Sequence, residues 1–186
     1  MGGGVKMGIL VLNASPRMGG NTDTIIERLK THAPRNRNWL YFKLSKLKIS
    51  PCIGCDMCWN PEPCIFKDDM SKVFDVLPET NLIIFASPIY WWNVTAYMKL
   101  FIDRLYPLAS AKSPISLEGK KAAVVLVFAD EDLTTADSAN VMFDRIFDYL
   151  KLKDIGRLML PGLGNKNAAK DERILKKVDE FAEKLF

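Results

Sequence analysis

The most constraining feature is an alternation of two kinds of segment. Strand-length apolar runs are each followed by a stretch with helical spacing, five times over. The runs are Gly8–Leu12, Trp39–Leu44, Asn81–Ala86, Ala122–Phe128 and Ile155–Leu160. Those at Asn81–Ala86 and Ala122–Phe128 are apolar almost throughout, which suits strands covered on both faces. The intervening helices are read at about 23–30, 68–77, 95–106, 134–150 and 171–185. Met70, Val73, Phe74 and Leu77 form one inward stripe, and Val141, Ile146, Phe147 and Leu150 another. Five β-α units imply parallel strands with helices on both sides. The economical arrangement is an α/β, doubly wound, five-stranded parallel sheet of order 2-1-3-4-5, in three layers α/β/α. Its ligand crevice should lie at the C-terminal ends of strands one, three and four.

Length sets the scale. The 186 residues suit one domain over 1–186, with a Cys-rich loop at about 50–67. Hydrophobic residues are 48% and charged residues 26%, ordinary for a soluble globular chain. The apolar runs are too short to span a membrane, and residues 1–7 lack a secretory core and read as a flexible leader. A cytoplasmic location is therefore expected. The net charge of +4 is dispersed and gives no nucleic-acid footprint.

The first crevice loop is Asn13-Ala14-Ser15-Pro16-Arg17-Met18-Gly19-Gly20-Asn21-Thr22. Ser15, Asn21 and Thr22 carry side-chain donors, and Arg17 carries a planar cation. Gly19 and Gly20 allow close backbone approach, and a helix starting at Thr22 would add unpaired N–H groups. This is a phosphate-binding composition, although it matches neither G-x-G-x-x-G nor G-x-x-x-x-G-K-[ST]. The same residues also suit a plain strand-to-helix turn capped by Asn21 or Thr22. The second crevice loop, Ser87-Pro88-Ile89-Tyr90-Trp91-Trp92-Asn93, places three aromatics in a row. They suit a flat ring lying against them, a subunit interface, or tucking back into the core.

All four cysteines, Cys52, Cys55, Cys58 and Cys64, fall in the Cys-rich loop with spacing C-x2-C-x2-C-x5-C. Such clustering points to a shared role. A [4Fe–4S] cluster, a zinc site and plain thiols all fit the spacing. The single histidine, His32, sits at a helix end with no catalytic partner in view.

Taken together, these residues resemble the flavodoxin-like NAD(P)H-dependent FMN reductase and iron–sulfur flavoprotein family. The matching stretches are Ser15-Pro16-Arg17, Gly20-Asn21-Thr22, Asp68-Asp69-Met70 and Ser87-Pro88-Ile89-Tyr90 with Asn93. Lys99 and Phe101-Ile102-Asp103-Arg104 complete the set, so the resemblance runs from about Met7 to Arg104. It implies FMN, its phosphate held by Ser15, Arg17, Gly20, Asn21 and Thr22. It implies an isoalloxazine ring contacted by Pro88, Ile89, Tyr90, Trp91 and Asn93, with Tyr90 and Asn93 tuning the flavin edge. It implies NAD(P)H as electron donor, a small-molecule acceptor such as a quinone or free flavin, and a homodimer or homotetramer. Where relatives carry a small-residue loop after the fourth strand, this chain has Ala129-Asp130-Glu131-Asp132. Iron–sulfur flavoproteins carry a compact Cys pattern in the position of Cys52 to Cys64. A cluster there would make the chain an electron carrier for ferredoxin-like partners. A third alternative is a binding protein with structural zinc. No catalytic side chain is nominated, because hydride transfer to a flavin needs neither acid nor base.

Overall fold

The computed structural model describes residues 8–59, 63–110, 112–164 and 166–186; the leader read over residues 1–7 lies outside them. The strands are β1 (Gly8–Asn13), β2 (Trp39–Lys43), β3 (Thr80–Tyr90), β4 (Asn93–Val94), β5 (Lys121–Val127) and β6 (Lys153–Leu160). The α-helices are α1 (Asn21–His32), α2 (Met70–Val76), α3 (Ala96–Asp103), α4 (Asp137–Tyr149) and α5 (Glu172–Leu185).

The five long strands are parallel and lie in the order β2-β1-β3-β5-β6, which is the expected 2-1-3-4-5 order. The arrangement is doubly wound and flavodoxin-like. Two details differ from expectation. The third strand does not stop at Ala86 but continues to Tyr90, and Asn93–Val94 returns antiparallel beside it as a sixth strand. The segment read as a loop is thus a two-residue hairpin turn, Trp91-Trp92. Both tryptophans take positive φ, 49° and 59°. Two-residue turns with positive φ at both central positions favour Asn-Gly or Asp-Gly; Trp91-Trp92 lacks that cue, so the turn was not legible in the sequence.

Alternation along the central strands builds two cores. Ile9 and Val11 of β1, Leu82 and Ile84 of β3, and Ala123 and Val125 of β5 face α1 and α5. Leu10, Leu12, Ile83, Phe85, Val124 and Leu126 face the opposite side. There Phe85 meets Phe143 and Phe147 of α4 with ring centroids 5.5 and 5.6 Å apart. Every residue of β1 is buried, so its sequence cannot alternate polar and apolar. In α4 the inward positions are Ala139, Phe143 and Phe147, whereas Val141, expected to be buried, is 56% exposed. The expected start of this helix was early: residues 133–136 form a 3-10 turn, and the α-helix takes its phase from Asp137.

Across the outer surface of the α1–α5 layer, Asp179 accepts from Arg28 Nε and Nη2 at 2.6 and 2.7 Å and meets His32 Nε2 at 2.8 Å. His32 therefore ties a helix end to α5, in line with a structural role. The hydrogen bonds from Arg28 foremost hold the Asp179 carboxyl down to about 2, from an ordinary 3.8. A depressed folded-state value contributes stability that is complete above the unfolded value and is lost as pH falls through the folded one. Asp179→Asn is expected to lower the melting temperature slightly at neutral pH, a surface pair being worth at most about 1 kcal/mol. Its gap from the parent chain should close as pH falls from about 4 to about 2. Thermal melts across that range check this; a gap independent of pH would contradict it.

Candidate functional site

β1, β3 and β5 end side by side, and the chain must turn away from the sheet there. At the end of β1 the buried Asn13 directs the turn: its Oδ1 accepts the Ser15 N–H at 2.9 Å. Its Nδ2 donates to Asp23 Oδ1 at 2.6 Å and to Tyr41 Oη at 3.1 Å. Thr95, just before α3, donates its hydroxyl to the Ala14 carbonyl at 2.8 Å, and Ser45 donates to the Ser15 carbonyl at 3.2 Å. Arg17 N–H bonds Ser15 Oγ at 3.3 Å. Gly19, at φ +64°, gives its N–H to Asp23 Oδ2 at 2.8 Å, not to the crevice.

What the loop leaves for a ligand follows from this. The first helical bond of α1 is Thr24 N–H to Gly20 O, 3.0 Å, so Asn21, Thr22 and Asp23 have N–H groups with no intrahelical acceptor. Ser15 and Thr22 bring hydroxyls, and Arg17 brings an exposed guanidinium. Asn21 is different. Its Nδ2 donates to the carbonyls of Leu163 and Lys166 at 2.8 and 2.9 Å, and its Oδ1 accepts the Ala168 N–H at 3.0 Å. The carboxamide is a clamp on the segment after β6, and only its backbone N–H is left to serve a ligand.

These groups line one cavity of about 200 Å³. Ser15, Arg17, Gly20, Asn21 and Thr22 form one wall, and Pro88, Ile89 and Tyr90 another. Val127, Phe128 and Ala129 after β5, with Leu163 and Gly164 after β6, complete it. The cavity is polar and cationic at the α1 end and apolar along Pro88–Tyr90. A phosphate suits the first half and a flat ring the second. Trp91 is not on the wall and is 88% exposed. Asn93 is also off the wall; its Oδ1 accepts the Val94 N–H at 2.8 Å.

Leu163 and Gly164 escaped the sequence reading. Their signal was the Pro161-Gly162-Leu163-Gly164 turn: a Cβ on Gly164 would lie 3.0 Å from the Ala129 Cβ, so a side chain there would force the two loops apart. The acidic run Asp130-Glu131-Asp132 is engaged in its own fold. Asp130 accepts from Thr135 Oγ1 at 2.8 Å, Asp132 caps Thr134 N–H at 2.9 Å, and Glu131 pairs with Lys166 at 3.0 Å.

The cysteine loop is fastened at its base by Arg104, which is 3% exposed. Its guanidinium donates to Asp68 Oδ2 at 2.6 Å and Oδ1 at 3.3 Å, to the Ser50 carbonyl at 2.8 Å and to Cys64 Sγ at 3.5 Å. It also lies 5.1 Å from the centre of the Phe66 ring. Burial pushes the Asp68 carboxyl up, but the Arg104 bond and the N–H groups of Ser50 and Met70 outweigh it and hold it below its ordinary value. Cys52 and Cys55 are exposed; Cys58 and Cys64 are half-buried. Burial pushes the Cys58 thiol up, and the sulfurs of Cys64, Cys52 and Cys55 push it in the same direction. The loop thus carries four soft donors on one short segment, two of them half-buried and two exposed. Among the described residues, no three Cys, His, Asp or Glu side chains converge closely enough to hold a metal ion. The donor chemistry suits a thiolate-bound centre, in an open arrangement. A second cavity, about 790 Å³, has Cys58 and Cys64 on its wall.

Comparison with known proteins bears on the family and the fold. An iron–sulfur flavoprotein of Archaeoglobus fulgidus is 35% identical over 116 residues, covering 62% of this chain and 51% of that protein. One of Methanocaldococcus jannaschii is 32% identical over 127 residues, covering 68% of this chain and 64% of that protein. The chain thus spans about half the length of the first relative and under two thirds of the second. The structure of an NAD(P)H:quinone oxidoreductase from Methanothermobacter marburgensis superposes with TM-score 0.79 at 18% identity, covering 97% of this chain and 96% of that one. At that identity the likeness is one of fold. The family model described as NADPH-dependent FMN reductase matches residues 7–158, a span that includes the phosphate-type loop, the Pro88–Tyr90 wall and the cysteine loop. The chain belongs to the NADPH-dependent FMN reductase family.

Proposed function

We propose that this chain is an FMN-dependent oxidoreductase. It takes electrons from NAD(P)H and passes them to a small-molecule acceptor such as a quinone or a free flavin. The observation that carries this reading is the single cavity whose cationic, donor-rich end adjoins an apolar wall at the sheet's C-terminal edge. Ser15, Thr22 and the N–H groups at the start of α1 would hold the phosphate, with Arg17 closing over it. Pro88, Ile89 and Tyr90 would support the ring and keep water from one face. FMN supplies the hydride and electron chemistry when bound. The protein's task is to bind it, orient it and leave one face accessible, so no acid or base is required of a side chain.

Arg17→Ala tests the loop assignment. Loss of one charge-assisted phosphate contact from an exposed position should weaken FMN binding about tenfold. Titration of flavin fluorescence with the apoprotein reads this; unchanged affinity would remove Arg17 from the phosphate site.

The cysteine loop favours a second reading: an iron–sulfur flavoprotein electron carrier working with ferredoxin-like partners. Its support is the four-cysteine loop, with Cys58 and Cys64 on one cavity wall, together with relatives named iron–sulfur flavoproteins. Cys52, Cys55, Cys58 and Cys64 would hold the [4Fe–4S] cluster, with Arg104 steadying Cys64. Such a cluster passes electrons singly, which would link a two-electron donor to one-electron partners. Zinc on the same thiols would instead be structural. Under anaerobic purification, Cys58→Ser should lose bound iron and sulfide and keep FMN. Equal iron in both proteins would exclude Cys58 as a ligand.

A further inference from the structure

Beneath the phosphate-type loop lies a buried polar cluster that the cavity does not include. Its centre is Lys43, the last residue of β2, only 8% exposed. The ammonium donates to the Arg17 carbonyl at 2.8 Å and to Asp23 Oδ1. The same carboxylate receives Asn13 Nδ2 at 2.6 Å and, through its other oxygen, the Gly19 N–H at 2.8 Å. Tyr41, also on β2, donates its hydroxyl to Asp23 Oδ1 at 3.5 Å. Lys43 thereby holds two points of the loop, the backbone of Arg17 directly and the Gly19 turn through Asp23.

The charge balance matters as much as the geometry. Asp23 is in the first turn of α1, beside Asn21 and Thr22, which line the cavity and whose N–H groups have no intrahelical acceptor. A bare carboxylate there would repel an incoming phosphate. Lys43 supplies the compensating charge from below, where solvent screening is weak.

We infer that Lys43 is a positioning residue for the phosphate: it fixes the Arg17–Gly19 loop in its binding form and cancels the charge of Asp23. This rests on the FMN reading above. It makes Lys43 responsible for preferring the phosphorylated flavin over the same ring without phosphate.

The test measures FMN and riboflavin affinities by fluorescence quenching for the parent chain, Lys43→Met, Lys43→Arg and the double variant Lys43→Met/Asp23→Asn. Circular dichroism and melting temperature verify the fold of each. Lys43→Met should bind FMN about tenfold or more weakly, the scale of a lost charged hydrogen bond. Its riboflavin affinity should stay within about twofold, since that ligand makes no phosphate contact. Lys43→Arg should recover part of the loss. The double variant should recover the part due to repulsion and remain below the parent. It also leaves no uncompensated buried charge, so it decides the matter by the same comparison should Lys43→Met fail to fold. A folded Lys43→Met or double variant that keeps the parent's full preference for FMN would overturn the inference, as would equal weakening of both flavins. A parent chain with no preference for FMN over riboflavin would instead overturn the phosphate-loop reading and this inference with it.

Discussion

Double-sided burial of β1, β3 and β5 is the constraint on which the remaining structure depends. Ile9 and Val11 pack one way and Leu10 and Leu12 the other. A sheet covered on both faces by helices exposes little but its edges and the ends of its strands. Strand order reverses between β1 and β3, so the loops after them diverge and leave a crevice. The cavity holding Ser15, Thr22 and Tyr90 is that crevice, and its position follows from the winding of the sheet.

The crevice loop depends in turn on polar groups that never reach the cavity. Asn13 terminates a strand with no exposed face, and its carboxamide satisfies Ser15, Asp23 and Tyr41 inside the protein. Burial first, then the Asp23 carboxylate, push the Tyr41 hydroxyl up to about 12. Arg104 and Asp68 do the corresponding work under the cysteine loop. In both places a largely buried ion pair fixes a loop that carries candidate ligand-facing groups. Breaking one partner of such a pair is more damaging than its net worth suggests, because the other charge is left buried.

Much of this was legible in the sequence because it is periodic. The runs at Gly8–Leu12 and Asn81–Ala86 announced buried parallel strands, and the residues at their ends supplied eight of the cavity's lining positions. What escaped was set by tertiary contact. Asn21 has the residue type of a phosphate ligand, yet its side chain is consumed by Leu163, Lys166 and Ala168, more than a hundred positions away. Trp91 has the type of a ring-stacking residue, yet the hairpin turn carries it outward. Lys43 read only as part of a strand, because nothing local reveals that its ammonium lies under the loop after β1. The four cysteines were legible as a group, and their spacing suited several centres; the fold adds that Arg104 steadies one of them.

The proposed activity requires a phosphate in the loop between β1 and α1 and a flavin ring against Pro88–Tyr90. The most direct measurement is a crystal structure of the chain purified anaerobically with FMN. The expected result is the FMN phosphate within hydrogen-bonding distance of the Thr22 N–H and the Ser15 hydroxyl, Arg17 folded over it, and the ring against Ile89 and Tyr90. A phosphate bound elsewhere, or a ring away from the Pro88–Tyr90 wall, would contradict it.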